Sequence, residues 1–166
     1  MKMSPGCNVH ICLKDREGRV VPGSVREGHN IFTRMGRTWL RDLIVWDSIN
    51  DTPPDVPLEN ERLQYIQFGS GGWPETKDVV GMQILRGTYD LSPSTSPYAY
   101  FPNATTCRIY HLLSTSSLNG FVLSEMGLMT SSARYGGGYQ CLFYRTFEPI
   151  LKTSAFALET YWDLTF

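Results

Sequence analysis

The chain has 166 residues, of which 42% are hydrophobic and 13% aromatic. This is the size of one ordinary domain with enough apolar side chains to build a core. Fifteen Lys and Arg against sixteen Asp and Glu leave a net charge of −1, so no broad positive field exists that would attract nucleic acid or a membrane surface. We therefore expect a single domain over residues 1–166 that binds neither.

Short strands are predicted near the N-terminus. Residues 9–13 are compatible with a strand, the polar residues 15–18 supply a turn, and residues 19–21 return as the second arm of a hairpin. A polar connection over residues 24–30 then leads to a short β-prone piece at residues 31–32. This order predicts a β-meander.

One helix is predicted, over residues 35–49. Apolar side chains recur there at spacings of three and four residues, which puts them on one face of a helix. The face consists of Met35, Trp39, Leu43 and Trp46. Thr33 can cap the start of the helix, and the proline pair 53–54 cannot continue it. We expect Trp39 and Leu43 to pack the helix against a sheet.

The middle of the chain alternates between one clear strand and long connections. A proline-rich loop over residues 51–61 precedes a strand at residues 63–68, which ends in the glycine-rich run 69–72. Residues 73–102 hold four prolines and only one strand candidate, at residues 82–85. We therefore predict a long surface excursion over residues 73–102.

Five aromatic residues in this excursion form the candidate interface. They are Trp73, Tyr89, Tyr98, Tyr100 and Phe101. No internal pattern could bury these rings within one subunit, so contact with a neighbouring chain is one interpretation. Exposed rings can also stack on sugars, which makes carbohydrate binding the other.

The C-terminal part of the chain predicts two further pairs of strands. Residues 106–113 and 121–129 flank a polar turn, and residues 139–147 precede a last strand at residues 155–166. One face of the last strand is predicted to be core and consists of Phe156, Leu158, Thr160, Trp162, Leu164 and Phe166. Without regular strand–helix alternation, the whole predicts an antiparallel β-sandwich of about seven or eight strands with one packed helix.

The cysteines are the first candidates for metal binding or disulfide formation, and we expect neither. They are Cys7, Cys12, Cys107 and Cys141. Four scattered cysteines do not make a disulfide scaffold, so free thiols buried as small apolar groups are predicted. Cys7 and Cys12 with His10 between them could bind zinc, but closed zinc sites need a fourth ligand and usually a second pair. We predict no metal and no cofactor.

No enzyme is expected either. The three histidines stand in no recognisable nucleophile motif. The glycine-rich runs 69–72 and 136–138 lack the Lys-Ser/Thr ending of a phosphate-binding loop. Glu125, Glu159 and Asp163 could supply paired carboxylates, but solvated surface charge is the simpler interpretation.

Several segments carry a resemblance when they are taken in order. Residues 28–33 lead through Gly36 and Arg37 into the predicted helix, and residues 65–71 form a strand that ends in a glycine-rich turn. Later segments follow at residues 124–128, 145–153 and 162–166. In this order they resemble small structural proteins of the tail, neck or baseplate of tailed bacteriophages, and residues 124–128 are similar to a Glu-x-Gly-Leu strand of that family.

The resemblance implies assembly. Such subunits sit in rings or attach fibres, and they hold their neighbours through strand edges and loops. For this chain it implies a virion protein made in the cytoplasm of the bacterial host, with other copies of itself and other virion proteins as partners. Residues 73–102 are then expected to reach a neighbouring chain. The alternative is a receptor-binding or carbohydrate-binding tip module of a phage tail, with a host-surface glycan as partner.

Overall fold

The protein contains two antiparallel sheets of five strands each in a computed structural model that describes residues 6–40, 63–91, 99–131 and 138–165. The spatial order in sheet A is β2 (Arg26–His29), β1 (Gly6–Lys14), β10 (Ala157–Thr165), β7 (Thr106–Leu113) and β6 (Ala99–Asn103). The order in sheet B is β3 (Ile31–Phe32), β9 (Tyr139–Leu151), β8 (Val122–Ser131), β4 (Tyr65–Gly69) and β5 (Leu85–Asp90). The predicted antiparallel β-sandwich with one helix is confirmed, with ten strands in the described residues.

The two sheets face each other across one apolar core. Successive side chains of a strand point to opposite faces of its sheet, and in sheet A the inward set includes Ile11 of β1 and Trp162 of β10. Phe68 of β4 points inward from sheet B. The predicted core face of the last strand is confirmed by the burial of Leu158, Thr160, Trp162 and Leu164. Phe166 lies outside the described residues.

The predicted helix is present and begins where its cap was expected. Residues 34–40 are helical, and the Thr33 hydroxyl accepts a hydrogen bond from the backbone N–H of Gly36 (3.0 Å), which is the bond of an N-cap. Met35 and Trp39 pack against the core. The rest of the predicted helix, residues 41–49 with Leu43, lies outside the described residues.

The predicted second arm of the N-terminal hairpin is present as an antiparallel bridge and does not form a strand. Val20 makes an isolated antiparallel bridge to Lys14, and the Val21 N–H donates to the Leu13 carbonyl (2.9 Å), whereas the regular ladder of β1 forms with β2. A side chain also holds the turn, because the Asp15 carboxylate accepts hydrogen bonds from the backbone N–H of Glu17 (3.0 Å) and Arg19 (2.8 Å). The next strand with a regular ladder is β2, within the stretch predicted to be a polar connection.

The long loop predicted over residues 73–102 is wrong in two places, because β5 and β6 lie within it. β5 pairs with β4 and brings the Tyr89 ring to the core side, with its centroid 6.1 Å from that of Phe68. Gly87 in the middle of β5 interrupts the apolar alternation that marks a strand in the sequence. β6 is an edge strand, and Pro102 is tolerated there because an edge can do without one ladder hydrogen bond.

The core assignment predicts a clear difference between two leucines of β9. Leu142 is 0% exposed, so Leu142→Ala should lower the free energy of unfolding by about 2–5 kcal/mol through lost burial and a residual cavity. Leu151 is 55% exposed, so Leu151→Ala, the matched control, should cost less than about 1 kcal/mol. Urea unfolding followed by tryptophan fluorescence measures both. Equal losses in the two variants would contradict this packing.

His111 of β7 faces the core. Its ring centroid lies 5.6 Å from that of Tyr89 and 6.1 Å from that of Phe68. Its Nε2 atom is buried and has no hydrogen-bond partner in the described part of the chain. Because burial disfavours the imidazolium, the pKa of His111 falls from 6.5 to about 4. In the folded protein the His111 ring is therefore neutral at pH values above about 4.

This histidine should make the fold sensitive to acid. As the pH falls below 6.5, the unfolded chain binds a proton at His111 that the folded chain binds only near pH 4, so stability is lost through this window. The loss should reach about 3 kcal/mol at the lower end. Urea unfolding across the window should show a shallower decline for His111→Phe than for the wild type. Parallel profiles would mean that another group causes the loss.

Candidate functional site

The structure separates four of the five aromatic residues predicted as an interface, those that lie within the described ranges. Trp73 lies beside the outer face of sheet B, where its backbone N–H donates to a tyrosine hydroxyl of β9 (3.0 Å). Tyr89 packs against the core. Tyr100 and Phe101 are exposed on β6, at the edge of sheet A. Tyr98 lies outside the described residues. The four described rings therefore do not form one patch.

The outer face of sheet B is covered by residues 70–84, which we call the covering segment. A second apolar cluster lies beneath it, where Val79 of the segment packs with Met129 of β8 and with Cys141 and Tyr144 of β9. Met82 packs against the same cluster from the segment side. The chain itself thus closes this part of the sheet to other molecules.

A buried carboxylate fastens the covering segment. Glu125 of β8 is 0% exposed, so the prediction of a solvated surface charge is wrong for this residue. Its oxygens accept hydrogen bonds from the backbone N–H groups of Gly71 (3.0 Å), Gln83 (3.0 Å) and Ile84 (2.9 Å). The Tyr144 hydroxyl is a fourth donor (2.8 Å). Four donors satisfy the buried carboxylate, and its charge strengthens each bond.

Close approach to this carboxylate accounts for glycine in the run 69–72. A Cβ atom at Gly71 would stand 2.8 Å from Glu125 Oε1 and 2.5 Å from the Cβ of Gln83. Both distances are shorter than side chains permit, and the Gln83 contact is with an atom close to the backbone. The glycine therefore serves the docking of the covering segment and does not mark a phosphate-binding loop.

A second carboxylate holds the middle of the covering segment. Glu75 Oε1 accepts hydrogen bonds from the backbone N–H (2.8 Å) and the hydroxyl (2.7 Å) of Thr146 in β9. Glu75 Oε2 lies 3.2 Å from Nη1 of Arg145. Glu125 thus binds the covering segment from the sheet, and Glu75 binds the sheet from the covering segment.

The outer face of sheet A carries polar and aromatic side chains. Its strands are paired so that His10 of β1 stands opposite Tyr161 of β10, which stands opposite Tyr110 of β7. The ring centroids are 5.8 Å apart for the first pair and 5.2 Å apart for the second. All three side chains are partly exposed. They form a strip of rings across the middle of the sheet.

A charged pair lies in the next row of the same face. Arg108 of β7 donates two hydrogen bonds to Asp163 of β10, from Nε (2.5 Å) and from Nη2 (2.6 Å). The Arg108 guanidinium also lies 5.2 Å from the ring centre of Tyr161 and 5.9 Å from that of Tyr100. A bidentate ion pair stacked on two rings holds its side chains in one geometry. Tyr100 thereby becomes part of this face.

A depression of about 700 Å³ lies beside the charged pair, lined by Asn8, His10, Glu27, His29, Tyr161 and Asp163. Nδ1 of His10 lies 3.0 Å from a Glu27 oxygen. Burial, reinforced by the negative charge of Glu159, raises the pKa of Tyr161 to about 12, so the phenol remains protonated at physiological pH. A second depression of about 760 Å³ is lined by Lys14, Tyr110 and Glu159, among others.

Sequence reading did not single out Arg108, Tyr110 or Tyr161. Their strands were predicted, and alternation with the apolar residues Ile109 and Trp162 was the signal that could have found them. Arg108, Tyr110 and Tyr161 each lie next to one of these core residues in the chain, so their side chains point to the outer face of sheet A. What the sequence cannot supply is the register that brings the two strands' polar residues together.

The cysteines do not converge on a metal site. Cys7 faces the core, whereas Cys12 lies with His10 on the other face of β1. Among the described residues no group of three or more His, Cys, Asp or Glu side chains could hold a metal ion. The cysteines are free thiols, buried apart from the half-buried Cys107. Burial raises the pKa of Cys12 to about 11 and that of Cys141 to about 12.

Exposed apolar side chains gather at one end of sheet B, where β4 and β9 end and β5 and β8 begin. We call this set the apolar rim, and it consists of Ile84, Leu85, Phe121, Val122 and Leu151. Val122 stands directly opposite Leu151 in the strand register. The Arg86 guanidinium lies 4.8 Å from the Phe121 ring centre. The rim therefore joins residues from three strands, from the turn before β8 and from the end of the covering segment.

The chain matches no protein-family model, no curated protein sequence and no solved structure at a significant level. Within the described ranges, no helix is long and apolar enough to cross a membrane.

The Glu125 contacts predict that a nearly isosteric substitution of this side chain strongly destabilises the fold. Glu125→Gln keeps the shape but replaces one acceptor oxygen with an NH2 group that cannot accept, so the free energy of unfolding should fall by on the order of 3 kcal/mol. Proteolysis within the covering segment should become faster. Glu17→Gln is the matched control on an exposed carboxylate and should cost less than about 1 kcal/mol. A Glu125→Gln protein as stable and as resistant to protease as the wild type would contradict the fastening role.

Proposed function

We propose that this protein is a structural subunit of a tailed-bacteriophage virion, in its tail, neck or baseplate region. It acts through contacts with neighbouring subunits and performs no catalysis. Its partners are other copies of itself and other virion proteins. The order of segments that resembles such proteins supports the virion setting, and the surface of the fold supports the mode of action.

The apolar rim is the observation that carries the proposal. Single exposed apolar residues are ordinary on a protein surface, whereas a contiguous group typically marks a place where another molecule binds. Phe121 and its neighbours Val122 and Leu151 form such a group, with Arg86 stacked on the phenylalanine ring. Aromatic residues and arginine are the types that anchor protein interfaces.

The use of the charged side chains agrees with a structural role. Glu125 and Glu75 bind backbone and side-chain groups that hold the covering segment in place. Arg108 and Asp163 bind each other. These groups have structural partners that account for their burial, which favours architecture over reaction chemistry as the reason for their presence.

Strand edges are a second place where neighbouring subunits could bind, although the edge strand β6 has features that discourage pairing with another strand. β6 ends sheet A and carries Phe101, which is 77% exposed. Its pairing with β7 is irregular between Tyr100 and Asn103, and Pro102 removes one backbone donor. Both features discourage unspecific strand addition. We infer that side chains of the rim, more than open strand edges, select the neighbour.

A double variant of the rim tests the proposal. Phe121→Ser with Leu151→Ser removes apolar contact area without touching the core, so incorporation into virions should fall at least about tenfold. Val80→Ser is the matched control, because Val80 is exposed in the covering segment away from the rim. Variants are supplied in host cells in place of the wild-type protein, and purified particles are assayed for the chain.

Two checks make this result decisive. Urea unfolding must give the double variant a midpoint close to that of the wild type, so that lost incorporation reflects lost contacts. Wild-type incorporation of a correctly folded double variant would overturn the assigned interface. Absence of the wild-type chain from purified particles would overturn the virion role itself.

A further inference from the structure

We propose that the depression on the outer face of sheet A binds a neutral oligosaccharide. This site goes beyond the structural role, because it uses none of the rim residues and does not depend on assembly. The sequence placed sugar contact on the aromatic residues of 73–102, whereas the structure assigns it to residues of β1, β7 and β10.

The first requirement of a sugar site is an aromatic platform that holds still. Tyr161 supplies it, because its ring is flanked by His10 at 5.8 Å and Tyr110 at 5.2 Å and carries the Arg108 guanidinium at 5.2 Å. The ring lies on the central strand of the sheet, so little motion remains to be lost on binding. Because Arg108 lies over the ring, a sugar would contact the part of Tyr161 that stays exposed, through the C–H face of a pyranose, which is apolar.

The second requirement is a set of fixed polar groups at the edge of that platform. Asp163 is held by two hydrogen bonds from Arg108, and each of its oxygens can still accept another hydrogen bond. Asn8 stands opposite Asp163 in the strand register and is exposed. An amide and a carboxylate side by side offer donors and acceptors at the spacing of neighbouring hydroxyls.

The charges of the depression select a neutral ligand. Asp163 is paired with Arg108, and Glu27 accepts from or pairs with His10 at 3.0 Å. An anionic ligand would meet two carboxylates, and a cationic one would have to compete with existing partners. Hydroxyl groups can bind to these pairs without separating them.

The shape favours more than one sugar unit. The first depression measures about 700 Å³ and the second, past Tyr110, about 760 Å³, and both lie in the range of small-ligand sites. Tyr161 lines the first and Tyr110 lines the second, and the two rings are in contact. A short linear chain could therefore lie across β10 with its units on successive rings.

Titration with defined oligosaccharides tests the site. Cellotriose, maltotriose and chitotriose serve as neutral probes and sialyllactose as the acidic one, each followed by tyrosine-region chemical shifts in NMR. At least one neutral trisaccharide should bind, and Tyr161→Ala should weaken it about tenfold. Tyr139→Ala, which removes an exposed tyrosine of sheet B, should leave the affinity unchanged.

Further variants separate binding from folding. Asn8→Ala changes an exposed residue and should weaken the same probe several-fold while the unfolding midpoint stays in place. The proposal is overturned if no neutral probe binds at millimolar concentration, if sialyllactose alone binds, or if Tyr161→Ala and Asn8→Ala bind like the wild type. If no neutral probe binds, the outer face of sheet A is better explained as a contact surface for protein. The experiment on the rim is unaffected by that result.

Discussion

The carboxylate of Glu125 lies inside the protein and accepts hydrogen bonds from three backbone N–H groups and one tyrosine hydroxyl. A charge buried in this way is stable only when donors surround it. The donors come from both ends of the covering segment and from the sheet below it. The two ends of the segment are therefore held by a single side chain.

Because the covering segment is held in place, the two outer faces of the sandwich differ in their exposure to solvent. On sheet B the covering segment buries a second apolar cluster around Val79 and Tyr144, so that face is occupied from within. On sheet A the outer side chains bind one another across the strands, as Arg108 and Asp163 do, and remain partly exposed. At the end of sheet B, beyond the covering segment's fastening, apolar side chains such as Leu151 face solvent. The polar outer face of sheet A and the apolar end of sheet B therefore suit binding partners of different chemistry.

The sequence predicts those elements whose signal is local. The helix cap at Thr33 and the core face of the last strand follow from neighbouring residues alone, and both are confirmed. β5 was missed because Gly87 interrupts its alternation and its burial depends on pairing with β4. Glu125 was misjudged as surface charge because its backbone donors lie 41 to 54 positions away in the chain. Contacts at such separations leave no periodic trace.

The candidate site shows the same limit. Tyr100 was named from the sequence, but its partners Arg108 and Tyr161 become neighbours only through the register of three strands. The five predicted aromatic residues share a stretch of chain, and the fold distributes the described ones over different surfaces. Closeness in sequence did not predict which aromatic residues lie together. Alternation within β7 and β10 shows which residues share a face, and the register of the paired strands then decides which of them are neighbours.

We propose that two surfaces of sheet B have different roles: the rim meets neighbouring subunits, while the outer face is closed by the chain itself. Hydroxyl-radical footprinting of the isolated protein and of the purified particle measures this division residue by residue. Phe121 and Leu151 should be labelled in the isolated protein and protected in the particle, whereas Tyr144 should be protected in both. Equal labelling of Phe121 and Leu151 in the two samples would contradict the account.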